Sequence, residues 1–166
     1  MHQPFEPFTP HPSINDNELL RFKQLEFDTW DLYLVCVRDK NITENELWIL
    51  LAMEQSSDEP LSQATLSRVL RIPVQTINSA CMKMVRRGWI KLVPIPGNRK
   101  TKGLAFTEKG EQECLPMLKK IREAEEATLS SIAPDDFAHM LATVELYNQY
   151  LRKQLALRFA PSDETE

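Results

Sequence analysis

The sequence predicts a mainly α-helical chain with one small β-hairpin, and three observations carry that prediction. Apolar residues recur at three- and four-residue spacing, as in Ile77, Cys81 and Met84. One stretch, Trp89-Ile90-Lys91-Leu92-Val93-Pro94-Ile95, is strand-like instead. It is followed by the turn Pro96-Gly97-Asn98-Arg99 and a return strand from Lys102 to Thr107. Helix start and stop residues then divide the remainder into separate helices.

Taken in order, residues 1–15 hold Pro4, Pro7, Pro10 and Pro12 and read as an extended arm. Asp16 or Asn17 caps a first helix through about Arg38, with Leu19, Phe22, Leu25, Trp30 and Leu34 among its apolar positions. Thr43-Glu44-Asn45-Glu46 is a capping box: the Thr43 hydroxyl satisfies a free N–H and Glu46 reaches back to the cap. It starts a helix to Gln55 with Leu47, Leu50 and Leu51 inward. Ser56 to Pro60 is a loop, and Ser62 caps a third helix ending near Leu70, with Leu66, Val69 and Leu70 as its stripe. Pro73 cannot continue that helix and biases Ile72 toward extended geometry. A fourth helix runs from Val74 to Arg87 and stops at Gly88, where a left-handed residue is wanted. After the hairpin come two long helices, Glu108 to about Ser131 and Pro134 to about Leu157, then a polar tail. The organisation expected is an arm (1–15), a first helix (16–40), a unit of three helices and the hairpin (41–110), two C-terminal helices (111–158) and a tail (159–166).

The net charge is −4, which is unremarkable until its distribution is read. Between Leu61 and Thr107 stand nine basic residues and no acidic one: Arg68, Arg71, Lys83, Arg86, Arg87, Lys91, Arg99, Lys100 and Lys102. The other eleven basic residues share the rest of the chain with all 24 acidic ones. A basic segment in an acidic body is the electrostatic footprint of a surface that faces double-stranded DNA. Helix, short break, helix and basic hairpin, in that order, make a winged helix-turn-helix. Gln75, Thr76, Asn78 and Ser79 lie early on the fourth helix as uncharged donors and acceptors for base edges. Lys83, Arg86 and Arg87 suit phosphates, and Asn98, Arg99, Lys100 and Lys102 sit on the hairpin tip. From the supporting helix, Ser62, Gln63, Thr65 and Arg68 are expected on the same surface.

Other classes find little support. No run approaches the roughly 18 apolar residues of a membrane helix, and the start MHQPFEPFTPHPS is not a secretory signal. A cytoplasmic location is expected, without membrane partners. Cys36, Cys81 and Cys114 are widely spaced and read as reduced thiols in helices, not as a zinc site or disulfide framework. His2, His11 and His139 lack metal-ligand spacing. The four glycines build no phosphate-cradling loop, and no nucleophile–base set stands out, so neither an enzyme nor a cofactor is expected.

From Leu19 to Leu155 the sequence resembles the MarR family of bacterial transcriptional regulators. Leu61-Ser62-Gln63-Ala64-Thr65-Leu66 is similar to the family's first helix-turn-helix helix. Thr76-Ile77-Asn78-Ser79, Met84 and Arg87-Gly88-Trp89-Ile90 resemble its recognition helix and the exit from it. Asn98-Arg99-Lys100 and Leu104 to Gly110 resemble its wing and the helix start that follows. Four positions depart from the pattern: Ser79 replaces an Arg, Val85 a Glu, Asn98 a wing Asp and Lys100 a wing Arg. The resemblance implies a homodimer, and Phe137, Leu141, Val144, Asn148, Leu151 and Leu155 form a coiled-coil-like stripe that agrees with it. With Leu19 and Phe22 these apolar positions are the expected dimer contacts. The resemblance also implies a small aromatic effector beside Phe27, Trp30, Tyr33 and Trp48, whose plain alternative is a role in the core. The function expected is a homodimeric repressor on a near-palindromic operator. The alternative, kept open by the wing departures Asn98 and Lys100, is a winged-helix protein-interaction or atypical nucleic-acid-binding module that has lost operator recognition.

Overall fold

The computed structural model describes residues 16–38, 41–56 and 60–159; the side chains of 98–100 are outside that description. The expected arm (1–15) and the end of the tail (160–166) lie outside the described residues. The elements run α1 (Asp16–Leu34), α2 (Glu44–Gln55), β1 (Leu61–Ser62), α3 (Gln63–Leu70), α4 (Val74–Arg87), β2 (Ile90–Ile95), β3 (Asn98–Phe106), α5 (Glu108–Ser130) and α6 (Pro134–Phe159). Two compact units result, Met1–Leu118 and Lys119–Glu166, with α5 running from the first into the second.

Local chemistry sets the helix limits in the first unit. The capping box of α2 is complete: Glu46 N–H donates to the Thr43 hydroxyl at 3.4 Å and Thr43 N–H to Glu46 Oε2 at 2.8 Å. Ser62 caps α3 by accepting the Thr65 N–H at 3.0 Å. Helix α3 then ends on Arg71 in the left-handed region, φ 58°. Helix α4 ends on Gly88, φ 74°, with Gly88 N–H donating to Val85 O at 2.9 Å and Trp89 N–H to Met84 O at 3.0 Å.

Helices α2, α3 and α4 pack on one another and on a three-stranded antiparallel sheet in the order β1-β3-β2. Their core holds Leu47, Ile49 and Leu50 of α2, Leu66 of α3, and Ile77, Cys81 and Met84 of α4. Ile90, Leu104, Cys114 and Leu118 are buried with them. This is a winged helix, mainly α with a small sheet.

Five details differ from the sequence expectation. Helix α1 stops at Leu34, and Cys36 sits in the turn beyond it. Val69 does not face inward; it is 62% exposed. Strand β2 begins at Ile90 rather than Trp89, which closes the exit of α4 instead. The return strand begins at Asn98, not Lys102. The hairpin also gains a third strand, because Leu61 and Ser62 pair with Leu104 and Gly103.

In the second unit α6 buries no residue. The turn before it is held by Ser131 N–H on Thr128 O at 3.0 Å and Phe137 N–H on Ala133 O at 3.1 Å. No helix among the described residues is long and apolar enough to cross a membrane.

Candidate nucleic-acid interface

Helix α4 has two chemically distinct faces. Ile77, Ala80, Cys81 and Met84 are buried, at the spacing that keeps one helical face inward. Gln75, Asn78, Ser79, Met82, Lys83 and Arg86 are exposed on the remaining surface, while Thr76 is half-buried. Pro73 precedes the helix without a side-chain cap, so the first-turn N–H groups are left at the end that attracts anions. Lys83 and Arg86 make no ion pair among the described residues. The outer face of α4 therefore offers neutral donors and acceptors first and cations further along.

The supporting helix contributes unevenly. Arg68 is exposed and Gln63 half-buried. Ser62 is 8% exposed and its hydroxyl is occupied by the cap and by the Thr65 hydroxyl at 2.8 Å. That contact engages Thr65 as well.

In the wing the strand register passes from Pro94↔Lys102 to Ile95↔Asn98, an irregularity in the β2–β3 pairing. The turn is made at Gly97, φ 75°. Lys102 is exposed on β3. Of the other expected wing contacts, the side chains of Asn98, Arg99 and Lys100 lie outside the description.

A junction the sequence does not reveal holds α4 to its neighbours. Glu46 is wholly buried, and Arg87 Nη1 stands 3.5 Å from its Oε2. The Arg87 guanidinium lies over the Trp89 ring, 4.8 Å from the centroid. Trp89 Nε1 donates to Glu113 at 2.6 Å and Lys109 Nζ to Arg87 O at 2.8 Å. A Cβ on Gly110 would collide with the Trp89 carbonyl, so that close approach requires glycine. Glu46 and Arg87 are 41 positions apart and no local pattern links them. In the sequence Glu46 is legible only as part of a cap and Arg87 only as part of a basic run.

The expected effector residues divide. Trp48 receives Trp30 edge-on at 4.7 Å and Tyr33 at 5.0 Å between centroids, and its Nε1 donates to Glu44 at 3.3 Å. Phe27 is 69% exposed. Of the expected dimer contacts, Leu19, Leu141, Leu151 and Leu155 are exposed and Phe22, Phe137 and Val144 half-buried. Burial pushes the Cys81 thiol up to about 11. Burial, with Glu113 adding and Arg87 opposing, brings Cys114 to about 11 as well. Among the described residues no group of three or more His, Cys, Asp or Glu is placed to hold a metal ion.

The MarR family model matches residues 40–100, which span α2 through the wing turn. Over those residues the sequence is similar to the MarR family. Solved structures agree on the fold. A MarR family regulator from Neisseria meningitidis superposes with a TM-score of 0.70 at 15% identity, over 87% of this chain and 99% of its own. A MarR family transcriptional regulator from Listeria monocytogenes, complexed with a 26mer DNA, gives 0.62 at 15% identity, over 89% and 97%. The complex of MepR from S. aureus with DNA gives 0.62 at 16% identity, over 84% and 99%. The fold is that of the MarR family transcriptional regulators. A search of curated proteins finds no sequence that matches this chain.

Proposed function

We propose that this chain is a sequence-specific, double-stranded-DNA-binding transcriptional regulator acting as a homodimeric repressor on a near-palindromic operator. The observation that carries the reading is the outer face of α4. It is mostly polar, with Val74 and Met82 as its exposed apolar residues, free of carboxylates, and backed by an apolar inner face that fixes its orientation. Gln75 and Asn78 have the amide geometry that pairs with adenine in the major groove. Arg68, Lys83, Arg86 and Lys102 supply phosphate contacts, and Arg99 and Lys100 reach a neighbouring groove from the tip of the wing. Ser62, Gln63, Thr65, Thr76, Ser79 and Asn98 complete the proposed surface from α3, α4 and the wing. The DNA complexes of the Listeria regulator and MepR, which share the fold, support the same use of it.

Dimerisation follows from exposed apolar helix. Helix α1 buries no residue, yet Leu19, Leu20, Leu25 and Leu32 are exposed on it. Helix α6 presents Leu141, Leu151 and Leu155 in the same condition. A second copy would cover both, and would set two recognition helices about 34 Å apart, one DNA turn. The Trp30–Tyr33–Trp48 cluster, with Phe27 beside it in sequence, is the proposed site for a small aromatic effector that releases the DNA.

The test is a gel shift with duplexes selected by the protein from genomic fragments. Retarded complexes should form preferentially on the selected duplexes and weaken steeply with salt. Asn78→Ala should lose about 1–3 kcal/mol of discrimination at one base pair. Equal retardation of selected and scrambled duplexes would favour the second reading, an interaction module, for which Ser79 and Asn98 are the sequence departures that speak.

A further inference from the structure

The basic residues between Leu61 and Thr107 look alike in the sequence, but the structure sets one apart. Arg87 is turned into the molecule, with Nη1 3.5 Å from Glu46 Oε2 and the guanidinium over the Trp89 ring. Glu46 has 0% exposure. Its Oε2 also accepts the Thr43 N–H, and its Oε1 has no hydrogen-bond partner among the described residues. Arg87 is thus the one cation paired with this carboxylate among the described residues. Its backbone is held too, by Lys109 on the carbonyl oxygen. One residue therefore touches the cap of α2, the exit of α4 and the first turns of α5.

We propose that Arg87 is a positioning residue and not a phosphate contact. It pins the last turn of α4 against the start of α2 and against Trp89, and so fixes how the reading face and the wing meet one duplex. This rests on the DNA-binding reading above. The physical reason is competition. Swinging Arg87 out to a phosphate would strand a buried carboxylate that already has one unanswered oxygen. The planar guanidinium also does two things at once, donating to the carboxylate and stacking on the indole, which an ammonium cannot match.

Salt dependence separates the two roles. Losing one phosphate contact flattens the slope of log affinity against log salt by about 0.9. The probes are a duplex selected from a random pool by the unaltered protein and a scrambled duplex of the same composition. Arg86→Met should flatten the slope by about 0.9 and weaken both duplexes equally. Arg87→Met should weaken the selected duplex about fivefold or more, the scale of one lost base contact, with the slope and the scrambled affinity unchanged. Glu46→Gln should reproduce the Arg87→Met loss, and the double variant should be no worse than either alone. Arg87→Lys should recover only part of it, and with Glu46→Gln it carries the test if Arg87→Met does not fold. A slope flattened by Arg87→Met, or Glu46→Gln binding as well as the unaltered protein, overturns the proposal alone. Failure of the unaltered protein to enrich or retard any duplex overturns the DNA-binding reading, and this proposal with it.

Discussion

Helix α4 and helix α6 both carry apolar residues at three- and four-residue spacing, yet only α4 hides them. Ile77, Cys81 and Met84 have 0% exposure, while Leu141 is 48%, Leu151 39% and Leu155 45% exposed. The two stripes are alike in sequence and differ in what covers them. Periodicity shows that a helix has a face; whether the same chain supplies the cover is a tertiary fact. The winged domain buries its apolar stripe within one copy, and α6 does not. That contrast separates the part proposed to read DNA from the part proposed to pair two readers.

The largest expected effect breaks the hidden side. Ile77→Ala removes a fully buried side chain and leaves a cavity between α4 and its neighbours, at a cost of about 2–5 kcal/mol. Urea denaturation at two protein concentrations checks it, and the loss should be the same at both. On the open side, Leu151→Glu places a charge in the proposed interface between copies. The dimer dissociation constant should rise about a hundredfold or more, the consequence of an unpaired charge taken out of water. Analytical ultracentrifugation reads it directly. An unaltered protein that sediments as a monomer would dissolve the contrast, since α6 would then need no partner.

The same contrast explains what the sequence disclosed. The starts of α2 and α3 and the end of α4 were legible because a capping box, a capping serine and a glycine act within a few residues. The outer face of α4 was legible for the same reason, since one period describes it. Strand β1 was not legible: two residues have no period, and they become a strand only by meeting Leu104 and Gly103. Val69 fits a helical stripe by spacing but is left exposed, which depends on the packing of the whole domain. The Glu46–Arg87 contact joins two local signals, a cap and a basic run, that lie 41 positions apart.

The thiols grade the interior by titration. Cys81 and Cys114 rise from 9.0 to about 11 because burial disfavours the thiolate. Between those values the unfolded chain has lost both protons and the folded chain keeps them, so stability falls as pH rises from 9 toward 11. The denaturation midpoint should decline through that window, and Cys81→Ala should flatten the decline at a fixed cost in packing. At neutral pH an alkylating reagent should reach the half-buried Cys36 well before the other two. Equal labelling of all three would mean that the hidden face of α4 opens readily.

The smallest effect compares the C-terminal ends of α3 and α4. Both stop on a left-handed residue, but α4 does so on Gly88 and α3 on Arg71. A side chain in that conformation costs about 1 kcal/mol, because its Cβ crowds the following carbonyl. Arg71→Gly should therefore raise the unfolding free energy by up to about 1 kcal/mol, less what the freer unfolded chain takes back. Gly88→Ala should lower it by about the same amount. The alanine Cβ would meet Lys109 Cδ at 3.7 Å, an ordinary contact, so the loss would come from the backbone and not from a clash. Opposite signs at the two positions, measured by urea denaturation, would establish that the end of α3 is strained at Arg71 and the end of α4 relaxed at Gly88. A loss of stability in Arg71→Gly would instead mean that the arginine side chain holds the break through contacts worth more than the strain.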